Sequence, residues 1–232
     1  MMRTSSKVSC ALFAFVFCLF ASSPVLAQEY RIEKFSAPAP EDFAPTIRET
    51  LSADAVRVIG PEGPVCEVWL RKAVPVRAEG TKQFGIAYAQ LAEGTFVAGV
   101  RVLATTSDYR RQKISPGVYM LRYALHPVDG NHMGVAHFRD FLLLVPAKAD
   151  SNIATITAQQ VIELSRKASG TTHPAVWSLL SPDETPESLP ALVHEETEDL
   201  WVLYFEIPLQ TPEGAAQKSL MALVVMGHAP EA

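Results

Sequence analysis

Val118-Tyr119-Met120-Leu121-Arg122-Tyr123-Ala124-Leu125 alternates without a slip. Tyr119, Leu121, Tyr123 and Leu125 fall on one face, and Met120, Arg122 and Ala124 fall on the other. A period of two in a stretch rich in aromatic and aliphatic side chains specifies a β-strand. Pro116-Gly117 forces a tight turn just before it. Asp129-Gly130 supplies a hairpin turn just after it, leading into a returning strand over Val135 to Val145. Within that strand Phe141-Leu-Leu-Leu-Val145 is continuously apolar, the pattern of a strand covered on both faces.

The same reading extends along the chain. Ala55 to Ile59, Val65 to Val74, Phe84 to Leu91, Thr95 to Thr105, Ala191 to His194, Leu200 to Ile207 and Ser219 to Met226 are each strand-length and bounded by turn residues. One helix interrupts them. Thr157-Ala-Gln-Gln160 opens with a capping box, Val161, Leu164 and Ala168 form a narrow apolar stripe, and Gly170 supplies the stop. Strands before and after a single helical insert do not make the βαβ alternation of a parallel sheet. The pattern predicts a mainly β protein: an antiparallel β-sandwich of about eight to ten strands with one helical insert near 157–168. Residues 151–232 hold too few apolar segments for a core of their own, so 54–232 reads as one domain.

At Ile114-Ser-Pro-Gly-Val-Tyr-Met-Leu-Arg122 the chain resembles the turn-and-strand signature of transthyretin-like and related secreted bacterial β-sandwich families, many of unknown function. The resemblance spans residues 95–146. It implies the sandwich and carries over no catalytic or binding residue.

The N-terminus points to export. Arg3 and Lys7 precede an apolar run from Val8 to Ala21, and Val25-Leu26-Ala27 offers small residues before Gln28. That order is a cleaved signal peptide over 1–27, with an apolar core too short for a bilayer span of about 20 residues. Residues 28–53 read as an arm rich in Pro, Ala and charge, with a short helix over Glu41 to Leu51. Without residues 1–27 the 20 basic residues fall to 18 against 25 acidic ones, a net charge of −7 with histidines neutral. An acidic chain with no basic stripe argues against a nucleic-acid partner. Cys66 is then the one cysteine left, so no intramolecular disulfide forms and stability must come from packing. Neither asparagine, Asn131 or Asn152, lies in a glycosylation acceptor, which favours a bacterial periplasmic or secreted product. Beyond the signal peptide no segment is long and apolar enough to span a membrane as a helix.

Chemistry-bearing residues concentrate in His126-Pro-Val-Asp129-Gly-Asn-His132-Met-Gly-Val-Ala-His137, which holds three of the six histidines. If His126 lies opposite an odd-numbered residue of the returning strand, His126 and His137 share a face as diagonal neighbours. With His132 folding over, and Asp129 or Asp140 completing the shell or orienting a ring nitrogen, such a cluster would suit copper or zinc. A one-residue register change would send the two strand histidines to opposite faces. Without convergence the three are ordinary turn and strand-end residues.

Other features are weaker. Cys66 alternates with Val68 and Leu70 on an inward face and reads as an inert thiol. Trp69 and Tyr109 would make a stacking platform for a sugar or peptide if exposed, and core if covered. Asp108-Tyr-Arg-Arg-Gln-Lys113 concentrates positive charge, with an acidic counterpart at Glu195, Glu196, Glu198 and Asp199. The first expectation is therefore an exported, non-enzymatic module that binds a protein or polymer partner. The second is a copper- or zinc-binding protein using His126, His132, His137 and Asp129. The third is a hydrolase pairing Asp140 or Glu206 with a histidine.

Overall fold

In the computed structural model, which describes residues 30–77, 85–129, 136 and 138–229, the alternating segments become strands. They are β1 (Arg31–Ser36), β2 (Leu51–Gly60), β3 (Gly63–Arg71), β4 (Val74–Pro75), β5 (Phe96–Val102), β6 (Thr106–Ser107), β7 (Lys113–Ile114), β8 (Gly117–Leu125) and β9 (Asp140–Pro146). β10 (Val176–Leu180), β11 (Ala191–Glu195), β12 (Leu200–Gln210) and β13 (Ala216–Met226) complete the set, with helices α1 (Pro45–Thr50) and α2 (Ala158–Ser169). The chain is mainly β. In place of a sandwich's two separate sheets, one hydrogen-bonded path runs β1-β2-β3-β5-β8-β9-β10-β13-β12-β11. β4 adds to β12 as the eleventh strand, and the sheet curls into a half-barrel. No helix among the described residues is long and apolar enough to cross a membrane.

The curl has local causes. Register shifts fall between Leu51 and Ala55, Val58 and Ile59, Phe96 and Ala98, and Trp201 and Val202. Each such irregularity bends its strand and increases right-handed twist. β10 then carries the path around the bend: Val176 to Ser178 pair with β9, and Leu179 and Leu180 pair with β13. Only two residues separate β3 from β4, which pairs in parallel with β12 at Leu209 and Gln210. The sheet thus bends back until its far strands meet its near ones.

Curling gives the sheet two apolar faces. The inner one joins Val56, Val58, Val68, Val100, Leu121, Tyr123, Leu142 and Leu144 to Trp177, Leu203, Phe205, Met221 and Leu223. Residues from both ends of the strand path meet there, so this cluster fills the concave side. The outer one joins Phe43, Ile47, Trp69, Phe96, Met120, Phe141, Leu143, Val145 and Val161, and is covered by α1 and α2. β9 is therefore buried on both faces, as its unbroken apolar run predicts. A smaller cluster under Tyr109 covers the outer side of β12 and β13 with Leu200, Val202, Ala222 and Val224.

The sequence signals for α2 hold. Thr157 Oγ1 accepts the Gln160 amide, Gln160 reaches back to the Thr157 amide, and Gly170 closes the helix at φ 68°. Three expectations change. Arg31–Ser36, read as part of an extended arm, is an edge strand. Gly85 to Leu91 is a loop, because the main-chain N–H groups of Ala87 and Tyr88 donate to the Asp140 carboxylate rather than to a neighbouring strand. Val176–Leu180 follows residues that resemble helix terminators, yet it becomes the strand that links the two halves of the sheet.

Buried polar groups are tied into this frame. Arg122 is fully buried on the convex face and donates to Asp150 Oδ2 at 2.6 Å, Gly94 O at 2.6 Å and Ala154 O at 3.0 Å, with a further bond to Asn152 O. A guanidinium so placed fixes the 150–156 loop to β8. Glu67 is buried on the same face and pairs with Arg57 on β2 and Arg101 on β5, which aligns three neighbouring strands.

Candidate functional site

The two margins of the half-barrel, β1 and β11, approach each other in opposite directions. No main-chain ladder joins them among the described residues. On β1, register places Ile32 opposite Val58 and Lys34 opposite Val56, so Ile32 and Lys34 point to the concave side. On β11, Leu192 lies opposite Leu203 and His194 opposite Trp201. One end of this seam is shut by stacked rings. His194 lies over Trp201 with centroids 4.5 Å apart and planes at 11°, and Tyr30 meets Trp201 at 5.1 Å. The His194 ring is held by Asp199 at 2.8 Å.

Towards the other end the seam opens into a cleft of about 540 Å³. Its walls are Val56 and Val68 from β2 and β3, Leu70, and Leu203 and Phe205 from β12. Phe35, Leu189 and Pro190 complete the apolar lining, and Lys34, Ser36, Asp54 and Glu206 stand at its polar margin. Lys34 Nζ bridges the gap by donating to Leu189 O at 3.0 Å. Val56, Val68, Leu203 and Phe205 belong to the concave core, so the cleft is an entrance to the inside of the half-barrel.

The sequence-predicted site residues lie elsewhere. His126 extends the β8–β9 pairing by one step. Its N–H donates to Arg139 O at 2.8 Å, and its carbonyl accepts from Arg139 Nη2 at 2.8 Å. Its ring packs edge-on against Phe141, which belongs to the convex core, at 3.7 Å between centroids. His126 does face an odd-numbered residue, as a shared face with His137 requires, and Asp129 is exposed beyond it. His132 and His137 lie outside the described residues. Among the described residues no three His, Cys, Asp or Glu side chains gather as a metal-ligand set.

Asp140 is fully buried and accepts from Ala87 N at 2.9 Å, Tyr88 N at 3.0 Å and Tyr123 Oη at 2.6 Å. Burial first, then the neighbouring Asp140 charge, holds the Tyr123 phenol well above its ordinary value. Glu206 is exposed and pairs with Lys218 at 2.6 Å. Burial pushes the Cys66 thiol up to about 12, which leaves it inert at neutral pH. Trp69 and Tyr109 form no platform. Trp69 is 1% exposed, lies under Phe35, and donates to Ala37 O at 3.0 Å, whereas Tyr109 is 3% exposed. Asp108 is buried, and its carboxylate accepts from the Arg110, Gln112 and Val176 amides, pinning the basic segment to β10.

Sequence reasoning missed the cleft because it needs β1. Tyr30, Ile32 and Lys34 alternate, but a single charged residue in that row, beside a Pro- and Ala-rich stretch, hides the strand. Lys34 at an inward register was the available signal. No protein-family model, curated protein or solved structure matches the chain.

Proposed function

We propose that this chain is an exported, non-enzymatic binding module that takes an apolar ligand into the cleft between the two margins of its half-barrel. One observation carries the reading: the cleft of about 540 Å³ is walled by side chains of the inner core, at the place where the strand path fails to close. Protein interiors pack to the density of organic crystals, so an opening of this size within an apolar core is a feature of the architecture. It falls in the ~300–1,000 Å³ range of small-molecule sites, which are apolar with a few placed polar groups. Export is supported by the basic, apolar and small-residue order of residues 1–27.

Titration with anilinonaphthalene sulfonate tests the proposal. The expected result is saturable one-to-one binding that weakens at least about tenfold in Val56→Trp, whose indole would occupy the cleft. Val56 lies on the concave face opposite Lys34 and lines the cleft, and circular dichroism of the variant checks that it keeps its fold. Binding that fails to saturate, or that Val56→Trp leaves intact, would reject the cleft as the site.

A further inference from the structure

The cleft is polar at one end only. On the concave face Lys34 stands opposite Val56, and the adjoining pair is Ser36 opposite Asp54. These three side chains form one polar row where β1 ends, whereas Val68, Leu70, Leu203 and Phe205 keep the rest of the wall apolar. Lys34 and Asp54 sit at diagonal positions of this antiparallel pair, within reach of a long side chain. Here the Lys34 ammonium turns across the seam to the Leu189 carbonyl instead, and neither Lys34 nor Asp54 has an ion-pair partner among the described residues. Glu206, further along the margin, is already neutralised by Lys218 at 2.6 Å. One exposed cation and one exposed anion, without an ion-pair partner among the described residues, therefore share the mouth of an apolar cleft.

We infer that the ligand is a zwitterionic amphiphile, an inference that rests on the cleft being the binding site. Its hydrocarbon chain lies against Val56, Val68, Leu203 and Phe205. The anionic part of its head pairs with Lys34 and Ser36, and the cationic part pairs with Asp54. A purely anionic head would be drawn to Lys34 and repelled by Asp54, and a purely cationic head would meet the reverse. A neutral head would gain neither ion pair.

Four amphiphiles with one chain and different heads separate these cases: dodecylphosphocholine, dodecanoate, dodecyltrimethylammonium and dodecyl maltoside. Each competes, below its micelle concentration, with a fluorescent apolar probe bound to the protein. The phosphocholine compound should displace the probe at a concentration about tenfold lower than any of the other three. Lys34→Gln and Asp54→Asn should each bring it down to the level of the maltoside, with circular dichroism showing both variants folded. Equal displacement by all four heads, a preference for a singly charged head, or a preference that survives both substitutions would overturn the head-group inference and leave the cleft reading standing. Failure of all four to displace the probe would overturn both.

Discussion

Removing the Asp150 carboxylate should expose how much of the convex layer depends on one buried ion pair. The side chain of Arg122 is 0% exposed and that of Asp150 is 4% exposed, and their charge-assisted bond measures 2.6 Å. Stripping one partner from a buried pair leaves the other charge uncompensated, at a cost of about 3–5 kcal/mol. Arg122 keeps carbonyl acceptors at Gly94, Ala154 and Asn152, so Asp150→Ala should fall near the lower figure. For a chain of this size about 3 kcal/mol corresponds to a fall in Tm of roughly 6–12 °C. Arg122→Met combined with Asp150→Ala should cost less than the sum of the two single changes by about 2 kcal/mol, because the second substitution removes the charge that the first left stranded. Urea unfolding of the four proteins closes the cycle. An Asp150→Ala cost below about 1 kcal/mol, or strict additivity, would refute the view that Arg122 and Asp150 act as one buried unit.

Gly94→Ala should be severe, with a loss of at least about 3 kcal/mol, because a Cβ there would sit 1.8 Å from Ile156 O at φ +85°. Gly214→Ala, at φ +84° with nothing within 4 Å, should cost only about 1 kcal/mol, and thermal melts of the pair separate crowding from backbone conformation. Cys66, fully buried with its thiol pushed up to about 12, should resist thiol reagents at neutral pH and label only as fast as the protein unfolds, as peptide mapping would show. Burial raises the Tyr88 and Tyr123 phenols above their ordinary 10.0, favouring the neutral form in the folded state. Their contribution to stability is thus complete below pH 10.0 and is lost as pH rises beyond it; tyrosinate absorbance from them should appear together with unfolding, not before it.

The strands were legible where side chains alternate for physical reasons that act locally. Tyr119 to Leu125 and Phe141 to Val145 announce themselves as strands because runs of aromatic and aliphatic residues bounded by turn residues suit a sheet that is covered on both faces. The α2 cap at Thr157 and Gln160 was legible because both partners lie within one turn. The curl was not. It depends on register shifts such as the one between Trp201 and Val202, which leave no residue-type signature, and on β10 changing partner halfway along its length. The cleft followed the curl out of reach, because Lys34 and Leu203 are separated by most of the chain and meet only when β1 is recognised as a strand. The histidine-rich turn drew notice through local density. The described part of it places His126 against Phe141 on the convex side, away from the cleft.

Photoaffinity labelling with a diazirine-bearing acyl amphiphile, mapped by peptide mass spectrometry, tests the central claim most directly. The account predicts labels on residues 31–36, 54–70 and 203–206, suppressed by excess unlabelled amphiphile and by Val56→Trp. Labels that fall mainly on α1, α2 or the outer faces of the sheet, or that excess competitor does not suppress, would contradict it.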